Sequence, residues 1–237
     1  MSLTTLARTP LEAIEHNLER PVGRLGRIVG HVMSVQHRSL TGWTLRLLPM
    51  PPAARVLDVG CGSGMAIKLI ADQDHERRVD GIDRSAEMVT MTKRRNASAV
   101  AAGRVQADLG DALNLDFPDA TFDAVTAIET FYFWDDPIRG LQECRRVLRP
   151  GGWLAVTLEM TKEAAEHPTA LQKIFGRKFT DRSADEGLSI VSGLELTALL
   201  REAGFVRTRF AVEPRKSLGW LCAMGQVDPE VPSGTQQ

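Results

Sequence analysis

The run Val56-Leu57-Asp58-Val59-Gly60-Cys61-Gly62-Ser63-Gly64 constrains the fold of this chain more than any other segment. A short apolar stretch enters three glycines at alternate positions, and Met65, Ile67, Leu69 and Ile70 follow with helical spacing. That order predicts a strand, a tight turn and a helix start. Glycine accepts backbone angles that other residues resist, and without a Cβ it lets a ligand approach the main chain. The spacing narrows the ligand. A dinucleotide fingerprint, G-x-G-x-x-G/A, needs a small residue three after its second glycine, and Met65 stands there. Gly64 instead comes two after Gly62, and a carboxylate, Asp58, stands two before Gly60.

Downstream segments repeat the strand-then-helix pattern. Arg78–Asp83 reads as a second strand ending in an acid 19 residues after Gly64, followed by Ser85 as a helix N-cap with Glu87 in the first turn. Arg104–Ala107 suggests a third strand, with Asp108 and Asp111 after it. Phe122–Ile128 is nearly continuous and apolar, as a strand covered on both faces requires. Glu129 and four consecutive aromatics, Phe131 to Trp134, follow in a chain with 13 aromatics in all. Asp136 and Pro137 then mark a helix start. Arg149-Pro150-Gly151-Gly152 ends that helix before a fifth strand, Trp153–Leu158.

The order Asp58-x-Gly60-x-Gly62-x-Gly64, the acid at Asp83, the stretch Asp111–Asp123 and the Arg-Pro-Gly-Gly turn together resemble the class I S-adenosylmethionine-dependent methyltransferases over about residues 53–160. The resemblance implies an α/β fold: a Rossmann-like, doubly wound, seven-stranded, mostly parallel sheet with an antiparallel hairpin at one edge. It implies S-adenosylmethionine as cofactor and S-adenosylhomocysteine as product. By the same resemblance the loop Gly60, Cys61, Gly62 and Gly64 wraps the amino-acid end of the cofactor. Asp58 helps to order the groups that receive its ammonium. Asp83 accepts both ribose hydroxyls, and an acid after the third strand meets adenine. Two acids compete for that last role, and the register favours Asp111 over Asp108. Arg84, Met88, Ala112 and Ile128 complete the expected cofactor contacts. Asp116 departs from the family, which commonly has proline there.

Composition bounds the partners. The chain has 237 residues, a formal charge of −1 and a pI near 6.5, which argues against a broad polyanion-binding face and hence against nucleic acid. No apolar stretch of about 18 residues and no export signal is present, so the expectation is a cytoplasmic protein without a membrane segment. Cys61, Cys144 and Cys222 have no C-x-x-C spacing and read as reduced thiols.

Residues 1–50 read as a helical N-terminal cap, 51–225 as the methyltransferase domain with an insertion or lid at 161–191, and 226–237 as a flexible tail. Gly193–Ala203 reads as a helix, and Phe205–Val212 and Leu218–Met224 as closing strands. Methyl transfer from a sulfonium needs alignment and dryness more than a metal or a covalent nucleophile, so no metal is expected. A proton on the acceptor calls for a base, for which His37 leads, with Glu129 and His31 behind it. His31, Tyr132 and Trp134 are the expected substrate contacts. The acceptor is expected to be a small molecule, methylated on O, N or C, and the protein a monomer or homodimer. A nucleic-acid amino-methyltransferase would show prolines after the fourth strand, where Ile128-Glu129-Thr130-Phe131 stands. The alternatives are a non-catalytic cofactor-binding module and a nicotinamide oxidoreductase. Against the latter stand Met65 and the lack of a Tyr-x-x-x-Lys, since Tyr132 is the only tyrosine.

Overall fold

The computed structural model describes residues 37–159, 161–162, 190–214, 216 and 219–229. The expected cap before residue 37, including His31, most of the insertion, and the tail from residue 230 lie outside the described residues.

Helix α1 (Arg38–Leu47) precedes β1 (Arg55–Val59), and the glycine loop leads into α2 (Met65–Gln73). Next come β2 (Arg78–Asp83), α3 (Ala86–Arg95), a short α4 (Ala97–Ala101), β3 (Val105–Leu109) and β4 (Phe122–Ile128). A 3₁₀ turn at Phe131–Phe133 introduces α5 (Pro137–Val147), followed by β5 (Leu148–Leu158), α6 (Gly193–Glu202), β6 (Val206–Glu213) and β7 (Trp220–Gln226). The seven strands form one sheet in the order β3-β2-β1-β4-β5-β7-β6. The first five are parallel, and β7 runs antiparallel to both β5 and β6.

Alternation along the central strands explains the layers. Leu57, Val125, Leu154 and Ala223 face a cluster that includes Leu141 and Cys144 of α5 and Leu196 and Leu200 of α6. Their neighbours Val56, Ala124, Ala155 and Cys222 face Leu45 of α1 and Ile67 and Ile70 of α2. A strand buried on both faces must be apolar at successive positions. Among these strands the buried exceptions are hydrogen-bonded, as Thr157 is to Thr44 of α1 at 2.9 Å.

Two boundaries differ from expectation. β5 begins at Leu148, because Phe122 pairs with Leu148 before the register breaks and resumes at Ala124 and Trp153. The Arg149-Pro150-Gly151-Gly152 segment is therefore a bulge inside the strand rather than a turn ahead of it. At the other end β7 runs to Gln226, inside the segment expected to be tail. Gln226 Nε2 donates to Gly151 O at 2.8 Å, and Val227 N to Gly152 O at 2.9 Å. The bulge thus supplies carbonyls that hold the chain past β7.

Candidate active site

One cavity opens at the carboxyl ends of β1, β2 and β4, beside the point where strand order reverses between β1 and β4. That is where open α/β sheets bind ligands. The backbone of the glycine loop is pulled over β2: Gly60 N and Cys61 N both donate to Ile82 O at 2.9 Å. A Cβ on Gly60 would lie 2.2 Å from Thr130 Oγ1, so no other residue fits there without moving that loop. Gly62 differs. Its φ is +53°, and a Cβ there would meet no protein atom within 4 Å. Gly62 lines the cavity, so its bare backbone leaves a cradle for ligand atoms.

Three carboxylates are built into this end. Asp58 is 2% exposed and accepts from Thr126 Oγ1 at 2.7 Å. Burial pushes its pKa up to about 7, the Thr126 bond opposes that, and the charge of Asp83 adds to it. Asp83 accepts from Gly62 N at 2.9 Å on one oxygen and from Ser85 N at 2.8 Å on the other. Burial raises its pKa against those two bonds. Ser85 caps α3 by accepting from Met88 N, which sets the buried Met88 against the cavity. Asp111 accepts from Leu113 N at 3.0 Å and lines the cavity. Asp108 does not line it: its oxygens meet Lys93 Nζ at 3.3 Å and Gln106 Nε2 at 2.7 Å on the exposed side of β3. Cys61, Arg84, Ala112 and Ile128 also line the cavity, whereas Gly64 sits behind the loop as the N-cap position of α2. Burial holds the Cys61 thiol protonated.

The opposite wall contains His37, Thr41, Glu129, Thr130, Phe133, Trp134 and Asp135. Glu129 directly follows β4 with φ +58°, an uncommon conformation for a residue other than glycine. Its side chain is 13% exposed. Burial raises its pKa to about 7; His37 lowers it, Glu159 raises it, and hydrogen bonds from Glu159 N and Tyr132 Oη lower it. His37 precedes α1. Its Nε2 lies 3.3 Å from Glu159 Oε2 and 3.9 Å from Glu129 Oε2. Burial alone would lower its pKa, but the Glu159 hydrogen bond and the two carboxylate charges outweigh that, so the net shift is upward. His37, Glu129 and Glu159 have ligand-type atoms that all lie within 4.8 Å of one another, the one such group among the described residues. No single motif contains all three.

One expected substrate contact, Tyr132, lies off the cavity wall. Tyr132 is buried and does not line the cavity; its ring packs edge-on against Phe133, and its hydroxyl reaches Glu129 Oε1 at 3.4 Å. Within the 3₁₀ turn Phe131 and Tyr132 are both buried, and it is the half-buried Phe133 that lines the cavity. Trp134 does line the cavity, held by Phe131 at 5.3 Å between centroids. Sequence reasoning missed Glu159, Thr41, Phe133 and Asp135. Phe133 and Asp135 flank the flagged Trp134, whereas Glu159 has no signal beyond its place just after β5.

The donor set fits S-adenosylmethionine. A Gly62 cradle, a buried acid at Asp58, an acid at the end of β2 and an apolar slot between Met88, Ala112 and Ile128 match its amino-acid end, ribose and adenine in turn. Residues 57–156 match the methyltransferase domain family. The chain is similar to the O-methyltransferase resE of Aspergillus sclerotiorum, 37% identical over 150 residues that cover 63% of this chain and 54% of that protein. It is also similar to the 27-O-demethylrifamycin SV methyltransferase of Amycolatopsis mediterranei, 35% identical over 167 residues, 70% of this chain and 58% of that one. The chain thus spans a little over half the length of these two curated relatives. Among solved structures, a chain of the complex between the Haloferax volcanii Trm112 methyltransferase activator and a methyltransferase superposes with a TM-score of 0.69, at 20% identity, covering 88% of this chain and 95% of that one.

Proposed function

Because this chain belongs to the class I S-adenosylmethionine-dependent methyltransferases, we propose that it methylates a hydroxyl oxygen of a small-molecule acceptor, with His37 taking the hydroxyl proton. The observation that carries this reading is that His37 and Glu129 line the same cavity as the glycine loop and Asp83. Both relatives described above are named for oxygen acceptors, which supports the choice of atom.

The bound cofactor supplies a methyl carbon on a positive sulfonium, an electrophile that needs no further activation. The protein's own work is to hold and to exclude. Asp83 and Asp111 hold the two ends of the nucleoside, and the glycine loop with Asp58 holds the amino-acid end. Phe133 and Trp134 wall the acceptor side and keep water from the reacting atoms. The same wall orients the acceptor hydroxyl towards His37, a placement that converts a bimolecular encounter into an aligned one. A positioned base contributes on the order of 10²–10⁴-fold.

The test is methyl transfer from labelled S-adenosylmethionine to a panel of hydroxylated small molecules, followed by His37→Ala with the best acceptor. Turnover is expected to fall by about 10²-fold or more, with cofactor affinity by calorimetry changed less than about threefold. Equal loss of both would make His37 a cofactor contact and remove it as the base.

A further inference from the structure

Glu159 lies one residue beyond β5. It meets both other members of the cluster. Its backbone N–H donates to Glu129 Oε1, and its own carboxylate stands 3.3 Å from His37 Nε2. Glu129 Oε1 is also within reach of the Tyr132 hydroxyl, so Glu129 is tied at one oxygen and turns the other, at 3.9 Å, to the same imidazole nitrogen. Both carboxylates therefore crowd Nε2. An imidazole whose Nε2–H is donated to a carboxylate has its lone pair on Nδ1.

We infer that Glu159 is a positioning residue: it holds His37 with the proton on Nε2 and so leaves Nδ1 as the nitrogen that receives the acceptor's proton. This deepens the reading of His37 as the base and rests on it. In that step the acceptor's O–H bond breaks, its electron pair stays on oxygen for the new O–C bond, and the proton binds the Nδ1 lone pair. The imidazolium so formed has two carboxylates beside its Nε2. Among the described residues, Glu129 and Glu159 are the charged groups within ion-pair distance of His37, and Thr41 is the neutral polar side chain beside it on the cavity wall. Thr44 of α1 is bonded to Thr157 of β5, two residues before Glu159, which ties the helix that follows His37 to the strand that precedes Glu159.

The experiment is a pH titration of the histidine side chains by nitrogen-15 NMR on the full, ligand-free chain. The five histidines are assigned by single substitutions. Wild-type His37 is expected to be Nε2-protonated in its neutral form. Its proton affinity should fall about tenfold or more in both Glu159→Ala and Glu159→Gln, because an opposite charge at this distance is worth at least a pKa unit. Glu159→Gln keeps an acceptor for Nε2–H and should keep the tautomer, whereas Glu159→Ala should let the Nδ1–H form appear. Calorimetry should give unchanged S-adenosylmethionine affinity in both variants. A dominant Nδ1–H tautomer in the wild type, or an unmoved titration in a folded Glu159→Ala, overturns the inference. So does saturable Mn²⁺ binding that is lost with Glu159, which would make the three side chains metal ligands. None of these readouts needs the acceptor, so this inference and the base reading fail separately.

Discussion

Asp83 has each carboxylate oxygen already engaged by one backbone N–H, from Gly62 and from Ser85. A carboxylate oxygen can accept a second bond, so the same group can shape the glycine loop and receive ribose hydroxyls. Asp83→Ala is expected to weaken S-adenosylmethionine binding by about 2–4 kcal/mol, the scale of charge-assisted bonds lost from a partly buried site. Calorimetry on the folded variant measures this, and unchanged affinity would move the ribose contact to another residue. The residues of the cofactor half were legible because each belongs to a local pattern: a strand, a glycine spacing, an acid at a strand end. Those of the acceptor half were legible only in part. His37 and Glu129 were nameable as candidates, but Glu159 joins them through pairing of β4 with β5, a contact that no local spacing reveals. That Phe133 and not Tyr132 lines the cavity was hidden for a related reason, since the one turn of 3₁₀ helix that sets it has no sequence spacing of its own.

At the level of elements, α5 is positioned by a close approach. Gly140 faces the Trp134 indole, and a Cβ there would sit 2.5 Å from ring atom Cε3. Gly140→Ala gains about 1 kcal/mol of helix propensity but must displace a ring packed against Phe131, and overpacking of a core costs about 1–3 kcal/mol. The clash wins. The variant should lose up to about 2 kcal/mol in urea unfolding, and its tryptophan fluorescence should shift as the cavity wall moves. The strands themselves were read closely, with Arg78–Asp83 and Phe122–Ile128 at their observed bounds. β5 was read short because Pro150 and two glycines signal a turn by composition, while pairing with β4 on both sides of them makes a bulge.

For the whole molecule, one buried and two partly buried groups on the cavity all have raised pKa values. Asp58 and Glu129 have pKa values raised to about 7, and His37 is raised as well. A group whose folded pKa lies above its unfolded one contributes stability that is full below the unfolded pKa and lost as pH rises through the folded one. For the two carboxyls that window runs from about pH 4 to about pH 7. The ligand-free protein should therefore lose stability between pH 5.5 and 7.5 through these groups. Asp58→Asn should flatten part of that fall, and thermal unfolding at the two pH values reads the difference. An equal slope in the variant would show that Asp58 ionises as easily folded as unfolded.

The strand β7 lies between β5 and β6 although it follows both in the chain. Its residues Trp220–Gln226 are buried throughout, and its antiparallel pairs with both neighbours join them into one sheet. During synthesis, then, β5 leaves the ribosome with one edge open and waits for some 60 further residues before its partner emerges. Until that moment α6 can pack on α5, but β6 has no strand to pair with. The nascent chain is thus committed to a late closing step, and its period of greatest exposure to wrong edge-to-edge pairing is set by translation speed over that interval rather than by the stability of the finished sheet.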